Sequence, residues 1–290
     1  MIRRSPFGLA FAVVCLAVVA AAVEAAAPSP ALDRIKEARA ITLGYRNDAA
    51  PFSFRDRDGR VLGYSVELCA RVAAAVQKDL GLAEMKVLWE PLDAADRIAA
   101  VASGRVDLEC GTTTTTLTRM KAVDFSLPIF VDGGGVLVRA GAKLKRFTDL
   151  AGKKIAVIAG TTTEEALVRL MNVLGATAVL VPVKDGAEGM RELARGAVAA
   201  YAADRVVLAG LRQRQAKPSD FDFVAGDFSF EPYALVMRRD DPELRLIVNR
   251  TLAGLYRSGD IDPIFQRWLG HLGRPGALLH AMFYLNTLPE

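Results

Sequence analysis

Histidine is nearly missing from this chain. Its 290 residues include two, His271 and His280, both close to the C-terminal end. Neither a Ser-His-Asp arrangement nor a histidine-based metal cluster can be assembled from them. No GxSxG or CxxC nucleophile motif occurs, and there is no phosphate-binding loop or dinucleotide fingerprint. No metal or cofactor is therefore expected. An excess of charge of one sign is also lacking: 37 basic against 33 acidic residues leave +4. The basic residues are scattered, which disfavours nucleic acid as a partner. After the first 25 residues there is no run of 18 apolar residues, so no membrane span is expected in the mature chain.

What is present is an ordinary globular composition, 52% hydrophobic and 24% charged. That length and composition suit one large or two medium domains with real cores. The first 30 residues differ from the rest. MIRRSPFGLAFAVVCLAVVAAAVEAAAPSP begins with two arginines, continues through an apolar run and ends in the small-residue pattern VEA. Residues 1–25 are expected to be a secretory signal peptide cleaved after Ala25, which places the mature protein in the periplasm. The alternative, an uncleaved anchor, is set aside because of that cleavage pattern. Cys15 lies in the apolar run without a lipidation context. Losing Arg3, Arg4 and Glu24 leaves 35 basic and 32 acidic residues, a net charge of +3. Two cysteines remain, Cys69 and Cys110. In an oxidising compartment they either form a bridge or stay as two buried thiols, and the spacing does not decide between them.

From residue 41 onward short β-rich runs alternate with amphipathic helical stretches. ITLGYR (41–46) is a strand, and PFSFRDRDGRVLGY is a hairpin turning at Asp58-Gly59. SVELCARVAAAVQKDLGL has apolar residues at helical spacing and stops at Gly81. KVLWEPL, DAADRIAAVASG and VDLECG continue as strand, helix and strand. The pattern then restarts after residue 133: IAVIAG is a strand, TTTEEALVRLMNVLG a helix, TAVLVPVK a strand, and DGAEGMRELARG a helix leading into another strand. This alternation predicts an α/β fold of two units, each a mostly parallel sheet flanked by helices, joined by a two-strand hinge. Residues 26–132 and 233–270 form lobe 1 on this reading, and 133–232 form lobe 2. Residues 271–290 show no clear period and are expected to drape over the surface as a tail.

Two echoes of GTTT, at 111–114 and 160–163, each follow a strand. In open α/β sheets ligands bind outside the carboxyl ends of strands, so two such ends facing each other would make a polar cleft. Thr161 with Glu164, or Thr162 with Glu165, has capping-box spacing, and a helix N-terminus can hold a carboxylate. Thr112 and Thr114 share one side of an extended segment, and Arg119 shortly after can fork onto a carboxylate. Asp204 is either a plain N-cap or a partner for an ammonium group. Arg46 ends the first strand at the same mouth. Arg97 is either a cleft residue or a solvated helix charge.

GYSVELC, DLECGTTTTTLTRMKAVDFS, DLAGKKIAVIAGTTTEEAL and GDIDPIFQRWLG together resemble the family 3 periplasmic solute-binding proteins, the amino-acid receptors of ATP-driven (ABC) importers. The likeness extends over nearly all of residues 30–270 and is strongest to the glutamate/aspartate-binding branch. It implies a monomeric two-lobed clamp that closes on one amino acid and docks on a membrane permease. By that resemblance Arg119 binds the ligand α-carboxylate with Thr112, Thr114 and Thr161 beside it. Asp204 then binds the α-ammonium, and Arg46 with Arg97 grips a side-chain carboxylate. Two departures stand out: Ala94 replaces a serine of that branch, and Gly186 replaces a histidine. Both losses remove support for the side-chain carboxylate, so a neutral polar amino acid stays open as the ligand beside glutamate and aspartate.

Two other classes compete. A periplasmic dehydratase on the same fold would need a general acid in the cleft, for which Glu109 and Glu231 are the candidates. An extracellular sensor would continue into a membrane helix and signalling module, whereas this chain stops at Glu290. An amino-acid receptor without enzymatic activity is the preferred reading.

Overall fold

A computed structural model describes residues 30–239 and 241–290; the expected signal peptide lies outside them. Helix α1 (Pro30–Ala38) leads into β1 (Ala40–Tyr45). A small antiparallel sheet follows, made of β2 (Asp48–Ala49), β3 (Ser53–Arg55) and β4 (Val61–Leu62), its β3–β4 hairpin turning through Asp58-Gly59 as expected. Gly59 has φ +82°, the left-handed conformation that such a turn requires and glycine adopts without strain. Next come α2 (Tyr64–Asp79), β5 (Lys86–Pro91), α3 (Arg97–Ala102), β6 (Leu108–Glu109) and the ten-residue β7 (Val123–Asp132).

The second series begins with β8 (Gly134–Arg139) and β9 (Lys154–Ile158). It continues through α4 (Thr162–Val173), β10 (Val179–Val183), α5 (Gly186–Ala194), β11 (Ala200–Asp204), α6 (Arg205–Gln213) and β12 (Phe221–Phe223). Strand β13 (Glu231–Arg238) then returns to the first sheet, and α7 (Pro242–Ser258), α8 (Ile261–Leu269) and α9 (Ala277–Leu285) complete the chain.

Two five-stranded sheets result, ordered β5-β1-β6-β13-β7 and β10-β9-β11-β8-β12. Three strands of each run parallel, as the strand–helix alternation implies. The antiparallel pairs come from β7, β8, β12 and β13, the strands flanking the two passages between lobes. The chain leaves the first sheet at Asp132 and enters the second at Gly134, then returns between Phe223 and Glu231. Pro182 sits in β10, an edge strand, where its missing N–H costs no ladder bond.

The first lobe's core includes Ile41, Leu43, Leu68, Val72 and Leu108, all fully buried. An aromatic group of Phe52, Tyr64, Phe130 and Tyr233 packs near the passages, Phe52 edge-to-face on the other three at 4.9 Å from Phe130 and 5.3 Å from Tyr233, ring centre to ring centre, and Phe130 stacked on Tyr233. In the second lobe Val136, Ile155, Leu167 and Ala202 form a separate apolar cluster.

Cys69 on α2 and Cys110 just after β6 are joined in a disulfide, their Cα atoms 6.1 Å apart. The bridge ties a helix to the central sheet behind the threonine run. The C-terminal segment differs from the expected drape. Its α9 buries Leu279, Met282 and Phe283, and Phe283 stacks on Tyr256 at 5.1 Å. ALLHAMFYL is apolar around most of its circumference, which hides the helical period that polar residues would mark. Among the described residues no helix is long and apolar enough to cross a membrane.

Replacing both Cys69 and Cys110 with serine releases a loop of 41 residues, which in the chain-entropy treatment stabilises by about 3–4 kcal/mol. At roughly 2–4 °C per kcal/mol for a chain of this size, the melting midpoint is expected to fall by about 10 °C. Calorimetry of the double variant beside the oxidised parent checks this, and an unchanged midpoint argues that the bridge contributes nothing.

Candidate functional site

The parallel strands of both sheets point their carboxyl ends into one cleft. On the first side β1 ends beside Arg46 and β6 runs into Gly111 and Thr112; on the other β9 ends before Thr161 and β11 ends at Asp204. The cleft narrows to a cavity enclosing about 470 Å³ of empty space with its open mouth included. Arg46, Arg97, Thr112, Thr161 and Asp204 all line it. Residues 15 to 158 positions apart in sequence are thus brought to one place by strand ends and, for Arg97, by the start of α3.

Arg97 is the first residue of α3 and is 3% exposed. It is not the solvated charge that its helical context allowed. Its Nε and Nη1 make no hydrogen bond within the protein. Burial pushes its guanidinium down to about 10; Glu109 opposes that shift, and Arg46 and Arg119 add to it. The group therefore remains a cation at neutral pH. Arg46, 6% exposed, is differently placed, because its Nη2 donates to Asp48 Oδ1 at 2.8 Å. Asp48 Oδ2 in turn accepts from the backbone N–H of Gly186 at 2.7 Å, the first residue of α5 in the opposite lobe. One carboxylate thereby orients an arginine and meets the positive end of a helix.

Of the two capping-box spacings at the second GTTT, Thr161 with Glu164 gives the side-chain cap, while the Glu164 carboxylate reaches one residue further back, to Gly160, so the reciprocal bond of a full box does not form. Thr161 Oγ1 accepts from Glu164 N at 3.2 Å, and Glu164 Oε2 accepts from Gly160 N at 2.8 Å. Thr161 Oγ1 also donates to the carbonyl of Ile158 at 2.7 Å. What this residue presents to the cleft is the start of a helix, with first-turn N–H groups that have no partner four residues back. The next two threonines bond to carboxylates rather than to the helix, the first across the cleft and the second within its own lobe. Thr162 Oγ1 donates to Glu231 Oε2 at 2.7 Å and Thr163 Oγ1 donates to Asp204 Oδ1 at 2.8 Å.

Asp204 precedes α6 but its carboxylate makes no capping bond. Oδ1 takes the Thr163 hydroxyl and Oδ2 takes the hydroxyl of Tyr233 at 2.5 Å. The N-cap alternative thus gives way to a carboxylate held in the cleft. Burial and the neighbouring Glu231 push it up. Asp132, at the end of β7, accepts from Gly133 N and Val206 N and lies 3.2 Å from the Tyr233 hydroxyl. It is pushed up to about 8 by burial and by Asp204.

Thr114 and Arg119 stand outside the cavity lining. Thr114 Oγ1 donates to Glu231 Oε2 at 2.6 Å, and Arg119 Nη1 donates to the carbonyl of Thr114 at 2.8 Å. Arg119 is half-buried, and burial lowers it against the pull of Glu231 and Glu109. Glu231, 1% exposed, accepts from Thr114, Thr162 and Ser229. Glu109, also 1% exposed, accepts from Thr113 at 2.8 Å. Neither glutamate lines the cavity. Ala94 is buried, and a side chain at Gly186 would meet a methyl of Leu211 at 2.8 Å.

Three residues that matter here escaped the sequence reading. Asp48 had a local signal, lying two positions after Arg46. Tyr201 had only its bulk among alanines. Tyr233 had none, since its partner is 29 residues away.

A profile of the bacterial extracellular solute-binding proteins, family 3, matches residues 41–271. The L-glutamate/L-aspartate-binding protein of Pseudomonas aeruginosa is 36% identical over 270 residues, spanning 92% of this chain and 88% of its own. The glutamate/aspartate import solute-binding protein of Escherichia coli K12 is 32% identical, spanning 89% and 87%. Among solved structures, an ancestral arginine-binding protein bound to glutamine superposes with a TM-score of 0.70 at 30% identity, covering 80% of this chain and 98% of that one. An ancestral amino acid-binding protein, AncCDT-1, described as a precursor of cyclohexadienyl dehydratase, gives 0.70 at 31% identity over 82% and 98%.

The raised Asp132 sets a pH dependence. A carboxyl at about 8 in the fold and about 4 when unfolded binds its proton more tightly in the native state. Its contribution is full below the unfolded value and is lost as pH rises through about 8. Asp204 is raised in the same sense. The ligand-free protein is expected to melt lower at pH 9 than at pH 5.5, and Asp132→Asn is expected to flatten that slope. Melting curves of both proteins across the range decide it; parallel slopes would sink the assignment.

Proposed function

The chain belongs to the bacterial extracellular solute-binding proteins of family 3, and from that premise we propose that it is the periplasmic receptor of an ABC amino-acid importer, taking L-glutamate or L-aspartate. The observation that carries the ligand choice is Arg97: a buried cation on the cavity wall with two unbonded nitrogens. A guanidinium in that setting calls for an acceptor, and a side-chain carboxylate satisfies both its charge and its geometry.

On this reading the ligand lies with its side chain toward Arg97 and Arg46. Its α-ammonium meets Asp204, whose carboxylate is already aimed by Thr163 and Tyr233. Its α-carboxylate meets the first turn of α4 at Thr161, with Thr112 beside it. Arg119 and Thr114 complete that end, where the Arg119 guanidinium bonds the Thr114 carbonyl and the Thr114 hydroxyl bonds Glu231. Because contacts come from both lobes, ligand stabilises the closed arrangement over an open one, with the two interlobe passages as hinge. The closed form is what the importer's permease would recognise. The signal peptide at residues 1–25 delivers the receptor, as a monomer, to the periplasm.

The relatives are solute-binding proteins rather than enzymes. The two carboxylates considered for acid catalysis, Glu109 and Glu231, are held by hydroxyls away from the cavity. One observation favours a neutral ligand: Asp48 already pairs with Arg46, which lowers the positive charge at the far end of the cavity. Glutamine is the amino acid that would exploit this.

A thermal-shift panel of the common amino acids on refolded, ligand-stripped protein separates these readings. A ligand at a hundred times its Kd adds about 2.7 kcal/mol, so glutamate or aspartate is expected to raise the midpoint clearly. Arg97→Leu is expected to weaken glutamate at least about 100-fold, near 2.7 kcal/mol, while leaving the ligand-free midpoint unchanged or higher because a buried unpaired charge is gone. A shift with glutamine and none with either acid would replace the acidic ligand by its amide. No shift with any amino acid would sink the receptor reading.

A further inference from the structure

Tyr201 is the one bulky side chain in the small-residue stretch AVAAYAAD (197–204) that ends in β11. It sits in β11, opposite Leu137 of β8 and Ala156 of β9, and is fully buried. Its ring is fixed from above by α5. A Cβ on Gly189 would come within 2.6 Å of two ring carbons, so the helix approaches the strand this closely because position 189 has no side chain. The residue nevertheless lines the cavity, beside Arg46, Asp48, Arg97 and Gly186. Its hydroxyl is buried and makes no hydrogen bond within the protein. Buried tyrosine hydroxyls ordinarily have a partner. Burial and the nearby Asp48 raise this phenol, which keeps its proton on and makes it a donor.

Among the cavity-lining side chains, the fully buried polar atoms without a hydrogen bond are Nε and Nη1 of Arg97 and the hydroxyl of Tyr201, and each can donate. Both oxygens of Asp48 are already engaged, one by Arg46 and one by Gly186 N. A carboxylate offers acceptors only, with about four lone-pair sites, whereas a carboxamide brings two donors of its own. We propose that Tyr201 is a ligand-contacting, specificity-determining residue whose hydroxyl donates a hydrogen bond to the side-chain carboxylate of the bound amino acid, alongside Arg97. This rests on the reading of the cleft as an acidic amino-acid site. It also supplies a partner for that carboxylate where Ala94 and Gly186 offer none.

The test is isothermal titration of the parent protein and Tyr201→Phe with L-glutamate, L-aspartate and L-glutamine, together with the melting midpoint of each ligand-free protein. The phenylalanine keeps the ring against Gly189 and removes only the unbonded oxygen, so the ligand-free midpoint is expected to hold or rise. Glutamate and aspartate are expected to weaken by about tenfold or more, and glutamine by less than about threefold. A variant that merely loosened the lobe would weaken all three ligands together, so the glutamate-to-glutamine ratio is the deciding quantity. An unchanged ratio overturns the role of Tyr201 while leaving the receptor reading intact. A parent protein that binds neither acid overturns the acidic reading itself, and this proposal with it.

Discussion

A guanidinium at 3% exposure with two nitrogens unbonded is the constraint around which the cleft is organised. Burial disfavours the charged form strongly enough to bring Arg97 down to about 10, yet not enough to discharge it. The protein therefore holds a cation in a poorly solvated place without a bonded counter-ion, a state that costs stability until an anion arrives. Glu109 softens the cost through space, since its charge favours the cation. Its own hydrogen bond goes to Thr113, so it does not take up the donors. That separation keeps the site needy but foldable. A direct Arg97–Glu109 pair would be a more comfortable core and a worse receptor.

The cleft is bridged by hydroxyls and carboxylates rather than by apolar contact alone. Glu231 accepts from Thr114 of the first lobe and Thr162 of the second. Tyr233, on the first lobe's return strand, donates to Asp204 of the second. Asp48 reaches across to Gly186. Hydrogen bonds of this kind exchange with water at a modest net cost, about 1 kcal/mol each. A few of them leave the closed and open arrangements near balance, which is the condition under which a small ligand's differential affinity can decide between them. An apolar seam of the same area would lock the lobes shut. Asp132 and Asp204 add a counterweight, because two carboxyls that share Tyr233 repel when both ionise.

Much of this architecture was legible because its signals are local. Strand and helix alternation predicts two α/β lobes, and the turn at Asp58-Gly59 and the Thr161–Glu164 cap follow from spacings of one to three residues. Five of the seven expected site residues line one cavity, and the resemblance to a known family was needed to choose Arg46 and Arg97 among so many arginines. What stayed hidden depends on distance. Nothing near Thr114 says that its hydroxyl faces Glu231, 117 positions away. Asp204 has the same local sequence whether it caps α6 or faces the cleft, and only Thr163 and Tyr233 decide. Whether Cys69 and Cys110 meet depends on how α2 packs on β6. The helix at Ala277–Leu285 is obscured by its uniform apolarity, which removes the contrast that a period needs.

The two departures from the glutamate/aspartate-binding branch acquire a physical meaning together with Asp48 and Tyr201. Glycine at 186 leaves the first N–H of α5 open to the cleft, and a side chain there would press on Leu211. Asp48 takes that N–H and, through its other oxygen, fixes Arg46. The helix end that a histidine would have overlain becomes an interlobe tie instead. Glycine at 189, one turn on, lets Tyr201, a residue of the cavity lining, fill the space beneath α5. On the proposed acidic-ligand reading, recognition of the side-chain carboxylate rests on a tyrosine rooted in the sheet behind α5 rather than on a side chain at position 186. A strand residue clamped by a helix moves less than a side chain on a helix's first turn, so the far end of the pocket becomes more rigid as well as differently bonded. With Ala94 and Gly186 offering no side-chain donor, Arg97 and Tyr201 still leave that wall of the pocket seeking acceptors.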